Sequence, residues 1–243
     1  MYKYGILLCG ALFLMGCKSI SIQQESYKTT NQQFQLGTVG ESKDFLLERD
    51  YNHTAIPTYS EPIKVNVHTE AFTKSSYMAF VKAKTELGND VNISFTDSIA
   101  DTPRFLKLEI ADRVAILNAL GDKTNADIKR YLQNKNTAQI VTTLALAFNK
   151  SELNALITAD EVHLERSGIK LYALKTYKES TYMQTIHFNQ GVVFAYQSSC
   201  FCWQENEKHR LNIVDLVESS DYCPENTYKS AKSAKNKINY YKF

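Results

Sequence analysis

The sequence lacks the motifs that mark the common enzyme classes. It contains no phosphate-binding loop, no dinucleotide-binding fingerprint, no Gly-x-Ser-x-Gly elbow and no His-Glu-x-x-His zinc signature. These absences disfavour the common kinases, dehydrogenases, hydrolases and metalloproteases. We therefore expect a protein that is not an enzyme and has no cofactor, although an unusual enzyme would leave no such motif.

The chain also lacks a strong net charge and a recognisable linker. Its 28 Lys and Arg residues nearly balance its 26 Asp and Glu residues, so no overall field favours nucleic acid as a partner. With only 9 Gly and 4 Pro, no Gly- or Pro-rich segment divides the chain, and no repeat has a fixed period. We expect one domain over residues 46–243, with any sub-boundary falling near residue 135.

Long apolar runs are absent except at the start of the chain. Residues 5–15 form an apolar run of 11 residues after the single positive charge of Lys3, a layout typical of a secretory signal. At ~1.5 Å per residue, such a helix is too short to cross a hydrocarbon core of ~30 Å. The segment therefore predicts export rather than a transmembrane helix.

The run ends in Leu14, Gly16 and Cys17, and at this point the sequence resembles the lipobox of bacterial lipoproteins. The resemblance implies removal of residues 1–16 as a signal peptide and a thioether-linked diacylglycerol on Cys17, usually with a further fatty acyl group such as palmitate on its amine. Lys18 follows in place of the acidic residue that retains enteric lipoproteins at the inner membrane. By that analogy the resemblance implies a cell-envelope protein, held by its lipid at the outer membrane and facing the periplasm.

Residues 17–45 are polar and rich in Gln, Ser and Thr, without a sustained helical or strand period. We expect them to form a flexible tether between the lipidated Cys17 and the folded domain. A coil of ~28 residues would reach roughly 30 Å.

From residue 57 onward, hydrophobic periodicity predicts an α+β fold. The expected architecture is a largely antiparallel sheet with helices packed on one side and a C-terminal helix stapled to the sheet. Helices are predicted over residues 77–87, 112–121, 125–135 and 151–159, and strands over residues 63–68, 91–95, 105–110, 140–148, 162–172 as a hairpin, 182–188, 192–197 and 211–217. Ser75 or Ser76 is expected to cap the first helix and Gly88 to end it.

Residues 182–188 and 192–197 are expected to pair as a hairpin across the turn at 189–191. The C-terminal helix is expected to begin near Pro224, because proline favours the first turn of a helix.

Three cysteines remain after Cys9 leaves with the signal and Cys17 is lipidated. In an oxidising compartment, Cys223 is expected to form a disulfide with either Cys200 or Cys202. Both partners lie where strand alternation would place them on one face. Cys202 is preferred, since Trp203 would then pack beside the bridge. The alternative is a reactive thiol at Cys223.

Two sets of residues are weak candidates for a metal site, and no metal is expected. One set would share a face of a strand: Glu161, His163 and Glu165. The other matches no zinc signature: Cys200, Cys202, Cys223 and His209. For both sets the simpler interpretations, a solvated strand face and a disulfide, are favoured.

The C-terminal tail predicts an amphipathic helix over residues 226–243. Its apolar stripe consists of Tyr228, Ala231, Ala234, Ile238 and Tyr241. Its positive charges are Lys229, Lys232, Lys235, Lys237 and Lys242. The favoured interpretation is a helix docked on the sheet with solvated lysines. The alternative is that these lysines contact anionic lipid headgroups beside the anchor.

Two hypotheses for function follow. The first is a lipid-anchored binding or scaffolding module that contacts another envelope protein or a glycan. The second is an envelope enzyme or thiol-redox factor that uses Cys200, Cys202 and Cys223, with His163 as a further candidate.

Overall fold

The computed structural model describes residues 19–44, 49–96 and 102–236. Its strands are β1 (Ser19–Ile22), β2 (Glu25–Thr29), β3 (Val39–Asp44), β4 (Arg49–Ala55), β5 (Ile63–Ala71), β6 (Arg104–Ile110), β7 (Ala138–Ala147), β8 (Glu161–Gly168), β9 (Leu171–Lys178), β10 (Thr181–Ile186), β11 (Val192–Glu205) and β12 (Leu211–Glu218). Its helices are α1 (Lys74–Leu87), α2 (Arg113–Gly121), α3 (Ala126–Asn134), α4 (Lys150–Thr158) and α5 (Ala231–Asn236).

The described strands form one sheet in which every pairing is antiparallel, so the predicted α+β class is confirmed. The strand order is β1-β2-β11-β7-β6-β5-β8-β9-β10, with β12 beside β11, β3 beside β7, and β4 beside β3. The two longest strands, β7 and β11, lie next to each other. Nearly all residues of β7 are buried, as expected for a strand covered on both faces.

Alternation along β7 divides the core into two clusters. Leu144 and Leu146 contribute to the larger cluster, whereas Ala145 and Ala147 contribute to the smaller one. Helices α2, α3, α4 and α5 supply buried side chains to the larger cluster. Helix α1 supplies Phe80 and Ala83 to the smaller cluster, and is the exception to the expectation that the helices pack on one side.

The flexible tether predicted over residues 17–45 is wrong for residues 19–44. Ile20 and Ile22 are buried and alternate with exposed serines along β1, and β1 pairs with β2 from Ser19 opposite Lys28 to Ile22 opposite Glu25. Strand β2 in turn pairs with β11. The four-residue alternation of Ser and Ile was the available signal, and packing in the smaller core cluster stabilises it.

Helix α1 begins one turn earlier than predicted. Thr73, rather than Ser75 or Ser76, is the N-cap, and Ser76 completes a capping box with it. Gly88 ends the helix as expected, in the left-handed conformation with φ of 61°. The strand predicted over residues 91–95 is wrong, because this segment pairs with no strand and instead packs its buried Val91 in the cluster beneath α1.

The predicted hairpin between residues 182–188 and 192–197 is also wrong. Strand β10 pairs with β9 and lies at one end of the sheet order, whereas β11 pairs with β7, β2 and β12. A 3-10 turn at Phe188–Gln190 separates the two strands.

The C-terminal helix contacts the sheet as predicted, but it does not begin near Pro224. Helix α5 begins at Ala231, after an irregular segment that forms one bridge to β11 between Trp203 and Tyr228. Ala231 and Ala234 are buried in the larger cluster and Tyr228 packs against it, so the described part of the predicted apolar stripe is confirmed.

Candidate functional site

A small polar cleft opens on the sheet face that carries the smaller core cluster. On β6, Phe105 points into that cluster, and strand alternation places Lys107 and Glu109 on the same face. On β7, Thr143 shares this face with Ala145. On these strands, helix α1 covers the apolar residues. The polar residues continue the same face and line the cleft.

The cleft has a volume of about 50 Å³. Five of its lining residues are charged or potentially charged: Glu25, Lys107, Glu109, Arg113 and Glu218. The others carry hydroxyl or amide groups: Thr142, Thr143, Gln197, Ser198 and Ser199. A single water needs roughly 10–15 Å³ on this measure, and drug-sized ligands occupy pockets of ~300–1,000 Å³. The cleft therefore fits a few waters or one small polar group.

At the cleft, a buried lysine is paired with a half-exposed glutamate. The side chain of Lys107 is 9% exposed, and its Nζ lies 3.2 Å from Glu25 Oε2, whose side chain is 50% exposed. The same oxygen accepts a hydrogen bond of 3.0 Å from the Tyr27 hydroxyl. The Lys107 ammonium has three N–H donors. Among the described residues, Glu25 accepts a hydrogen bond from it.

These contacts set the protonation of Glu25 and Tyr27. Partial burial would raise the pKa of the Glu25 carboxyl, but hydrogen bonds from Lys107 and Tyr27, together with the Lys107 charge, hold the pKa below its usual value. Burial and the neighbouring Glu25 carboxylate raise the pKa of Tyr27. Glu25 is therefore ionised and Tyr27 neutral near pH 7.

Hydroxyl groups line the part of the cleft contributed by β7 and β11. Thr142 Oγ1 and Ser199 Oγ lie 3.3 Å apart. Ser198 donates a hydrogen bond of 2.6 Å to Gln139 Oε1. The arrangement presents hydroxyls, which both donate and accept, beside charged side chains of both signs, three acidic and two basic. It is suited to hydrogen-bonding a neutral polar group.

The predicted disulfide between Cys202 and Cys223 is confirmed, with a Cα–Cα distance of 5.7 Å. Cys202 is fully buried on β11, and the bond closes onto the irregular segment before α5. Cys200 is a free, partly exposed cysteine. Its Sγ accepts a hydrogen bond of 3.6 Å from Gln139 Nε2 and lies 3.7 Å from Ser219 Oγ.

The structure places Glu161, His163 and Glu165 on β8, where each is engaged by neighbours. Lys175 Nζ lies 2.8 Å from Glu165 Oε2, and Lys64 lies 3.7 Å from Glu161. Within residues 19–44, 49–96 and 102–236, no group of three His, Cys, Asp or Glu side chains is positioned to hold a metal ion.

Tyr177 lies between this set and the edge strand β10. Its hydroxyl donates a hydrogen bond to Glu165, which raises the pKa of Tyr177 to about 12. Its ring meets those of His163 and Tyr182, with centroids 5.5 and 6.1 Å away. Burial would raise the pKa of Glu165, but the hydrogen bonds from Lys175 and Tyr177 lower it overall.

The lysines of the tail separate into different environments. Lys229 Nζ donates a hydrogen bond of 2.8 Å to the Ser219 carbonyl, whereas Lys232 and Lys235 are exposed on α5. Lys237 and Lys242 lie outside the described residues, as does Cys17.

Sequence reasoning missed the cleft. Glu25 fell within the predicted tether, and Lys107 is a lone lysine between Leu106 and Leu108 in an apolar strand. A charged residue in such a run must find a partner when the strand is buried, and this was the signal available for Lys107.

Comparison with protein-family models, with curated proteins and with solved structures gives no match for this chain. In the part of the chain that the structure describes, no helix is long and apolar enough to cross a membrane.

Proposed function

We propose that this chain is a lipid-anchored protein of the bacterial cell envelope that works as a binding module, held at the outer membrane and facing the periplasm. The lipobox residues Leu14, Gly16 and Cys17 support the anchor. The Cys202–Cys223 disulfide supports an oxidising compartment outside the cytoplasm, because disulfides are rare in reducing compartments.

The polar cleft is the proposed binding site, and the buried ammonium of Lys107 is the observation that carries this assignment. Lys107 has more donors than Glu25 accepts, and hydroxyls of Thr142 and Ser199 lie at the same cleft. We assign it a neutral, hydroxyl-rich ligand, and therefore a glycan of the envelope rather than a charged metabolite. The small volume admits one edge of a sugar rather than a whole oligosaccharide.

The redox alternative has less support. Cys202 and Cys223 are bonded to each other, and Cys202 is fully buried. Thiol exchange requires an accessible thiolate and an accessible disulfide sulfur. This pair instead links β11 to the segment before α5.

Metabolic labelling with a palmitate analogue tests the anchor. Wild-type protein is expected to incorporate the label and fractionate with membranes, whereas Cys17→Ser is expected to lose both properties. Equal labelling of the two proteins would contradict the proposal.

Binding to purified envelope glycans tests the cleft. Lys107→Met is expected to weaken glycan retention, whereas Lys178→Met, which changes an exposed lysine on β9, is expected to bind as wild type does. Melting curves establish that both variants fold. Unchanged retention by folded Lys107→Met would remove the cleft from the proposal, and cross-linking in native membranes would then show whether a protein is the partner.

A further inference from the structure

The folded domain begins almost directly after the proposed lipid anchor. Strand β1 begins at Ser19, and only Lys18 separates Ser19 from Cys17. Two residues of extended chain span at most roughly 7 Å between Cα atoms. A flexible tether of ~28 residues would instead have reached roughly 30 Å.

Strand β1 is firmly attached to the rest of the sheet. Ile20 and Ile22 are buried in the smaller core cluster together with Tyr27, and β1 pairs with β2 along its whole length. Fully burying an Ile side chain contributes ~1.5–3 kcal/mol, so releasing β1 to act as a tether would expose both isoleucines at a substantial cost.

We propose that the domain rests directly on the membrane, with the edge formed by the Ser19 end of β1 and the Lys28 end of β2 against the lipid headgroups. The proposal rests on lipidation of Cys17, and the partner is the lipid surface itself. Ser19 and Lys28 are paired across the two strands, so Lys28 lies next to the anchored end, with its Nζ 6.0 Å from the centre of the Tyr196 ring on β11. Lys18 adds a second positive charge in the sequence. Lysines near an anionic surface each contribute up to ~1 kcal/mol.

This placement also restricts what the polar cleft can reach. Ile22 lies three residues along β1 from Ser19, or about 10 Å at ~3.4 Å per residue, and it pairs with Glu25 of the cleft. The step from Cys17 to Ser19 adds at most roughly 7 Å, so the cleft lies within about 20 Å of the acylated residue. Its ligand is therefore expected beside the membrane rather than deep in the periplasm.

Energy transfer to the membrane surface tests the placement. Lipidated full-length protein in a Cys200→Ser background is given one labelling site, either Ser21→Cys on β1 or Lys208→Cys in the turn between β11 and β12; both positions are exposed. Each donor-labelled protein is reconstituted in vesicles of phosphatidylethanolamine and phosphatidylglycerol that carry an acceptor dye on the headgroups.

Strong transfer is expected from Ser21→Cys. Inserting 20 Gly and Ser residues between Lys18 and Ser19 adds a reach of roughly 25 Å, and is expected to reduce that transfer severalfold. Weak transfer from Ser21→Cys, matching that from Lys208→Cys and unchanged by the insertion, would overturn the placement while leaving the anchor intact. Absence of an acyl group on Cys17, measured on the same protein by mass spectrometry, would instead overturn the anchor and this inference with it.

Discussion

The backbones of Trp203 and Tyr228 exchange two hydrogen bonds, with N···O distances of 2.7 and 2.9 Å. Cys202, the neighbour of Trp203, is bonded to Cys223, which lies five residues before Tyr228. The segment before α5 is thus held to the same end of β11 by a covalent bond and by a backbone bridge. Burial of Ala231 and Ala234 in the core then fixes α5 itself.

Removing the disulfide is expected to lower the free energy of unfolding by about 3 kcal/mol, because the bond closes a loop of 21 residues in the unfolded chain. Urea denaturation of Cys223→Ala against wild type measures the loss. Cys200→Ala, which changes the free cysteine, is the matched control and is expected to unfold as wild type does. Equal midpoints for Cys223→Ala and Cys200→Ala would show that the bond is not a stabilising link.

The two residues of the cleft ion pair are expected to respond differently to substitution. Glu25→Ala leaves the buried ammonium of Lys107 without its carboxylate, at a cost of about 1–3 kcal/mol. Lys107→Met removes the buried charge and leaves Glu25 half exposed to water, so its cost is expected to stay below about 1 kcal/mol. Chemical denaturation of both variants measures the asymmetry, and a larger loss for Lys107→Met would contradict the assigned burial.

Stability is expected to fall in acid through Glu25 and Glu165. The pKa of each carboxyl is lower in the folded protein than its ordinary value. Each therefore stabilises the fold fully above the unfolded pKa of ~4.3, and the contribution is lost as the pH falls through the folded value. Denaturation midpoints from about pH 7 to about pH 3 are expected to fall less steeply for Glu25→Gln combined with Glu165→Gln than for wild type.

The control for this pH dependence is Glu207→Gln, which changes an exposed residue in the turn between β11 and β12. It is expected to keep the wild-type slope. If the double variant lost stability in acid as steeply as this control, the two carboxylates would not be the groups responsible.

Two turns explain two of the strand pairings that the sequence did not predict, β1 with β2 and β9 with β10. Gln23 and Gln24 connect β1 to β2, and Glu179 and Ser180 connect β9 to β10. All four residues have positive φ, the backbone that two-residue hairpin turns require and that Asn-Gly or Asp-Gly usually signals. Because neither turn carries that signal, the sequence predicts a tether in place of the first hairpin and pairs β10 with β11 in place of β9.

Elements with strong local signals were predictable. The helix predicted over residues 112–121 is present as α2, with the Asp112 side chain at its N-cap accepting a hydrogen bond from the Ala115 amide, and Gly88 ends α1 as expected. The Cys202–Cys223 pair was predictable because the sequence holds only three cysteines after residue 17. The cleft was not, since it requires Glu25 of β2 and Lys107 of β6 to meet across 82 residues of sequence.

The position of α5 bears on how its lysines relate to the membrane. Lys28 pairs with Tyr196 of β11, and α5 follows the bridge at Trp203, seven residues farther along the strand. Seven residues at ~3.3 Å each place α5 about 23 Å from the edge that we propose to face the membrane. Its lysines would therefore contact headgroups only if β11 lay along the membrane surface.

Vesicle binding by protein lacking residues 1–17 is expected to reveal whether Lys232 and Lys235 contact the membrane. If both lysines contribute up to ~1 kcal/mol each, the unlipidated protein binds anionic vesicles at low salt, and Lys232→Gln with Lys235→Gln weakens binding by up to roughly thirtyfold. Added salt is expected to weaken wild-type binding as well. Lys123→Gln with Lys178→Gln, at exposed positions before α3 and on β9, is the control of equal charge. Absence of vesicle binding at low salt would show that the α5 lysines are only a solvated face of a helix docked through Ala231 and Ala234.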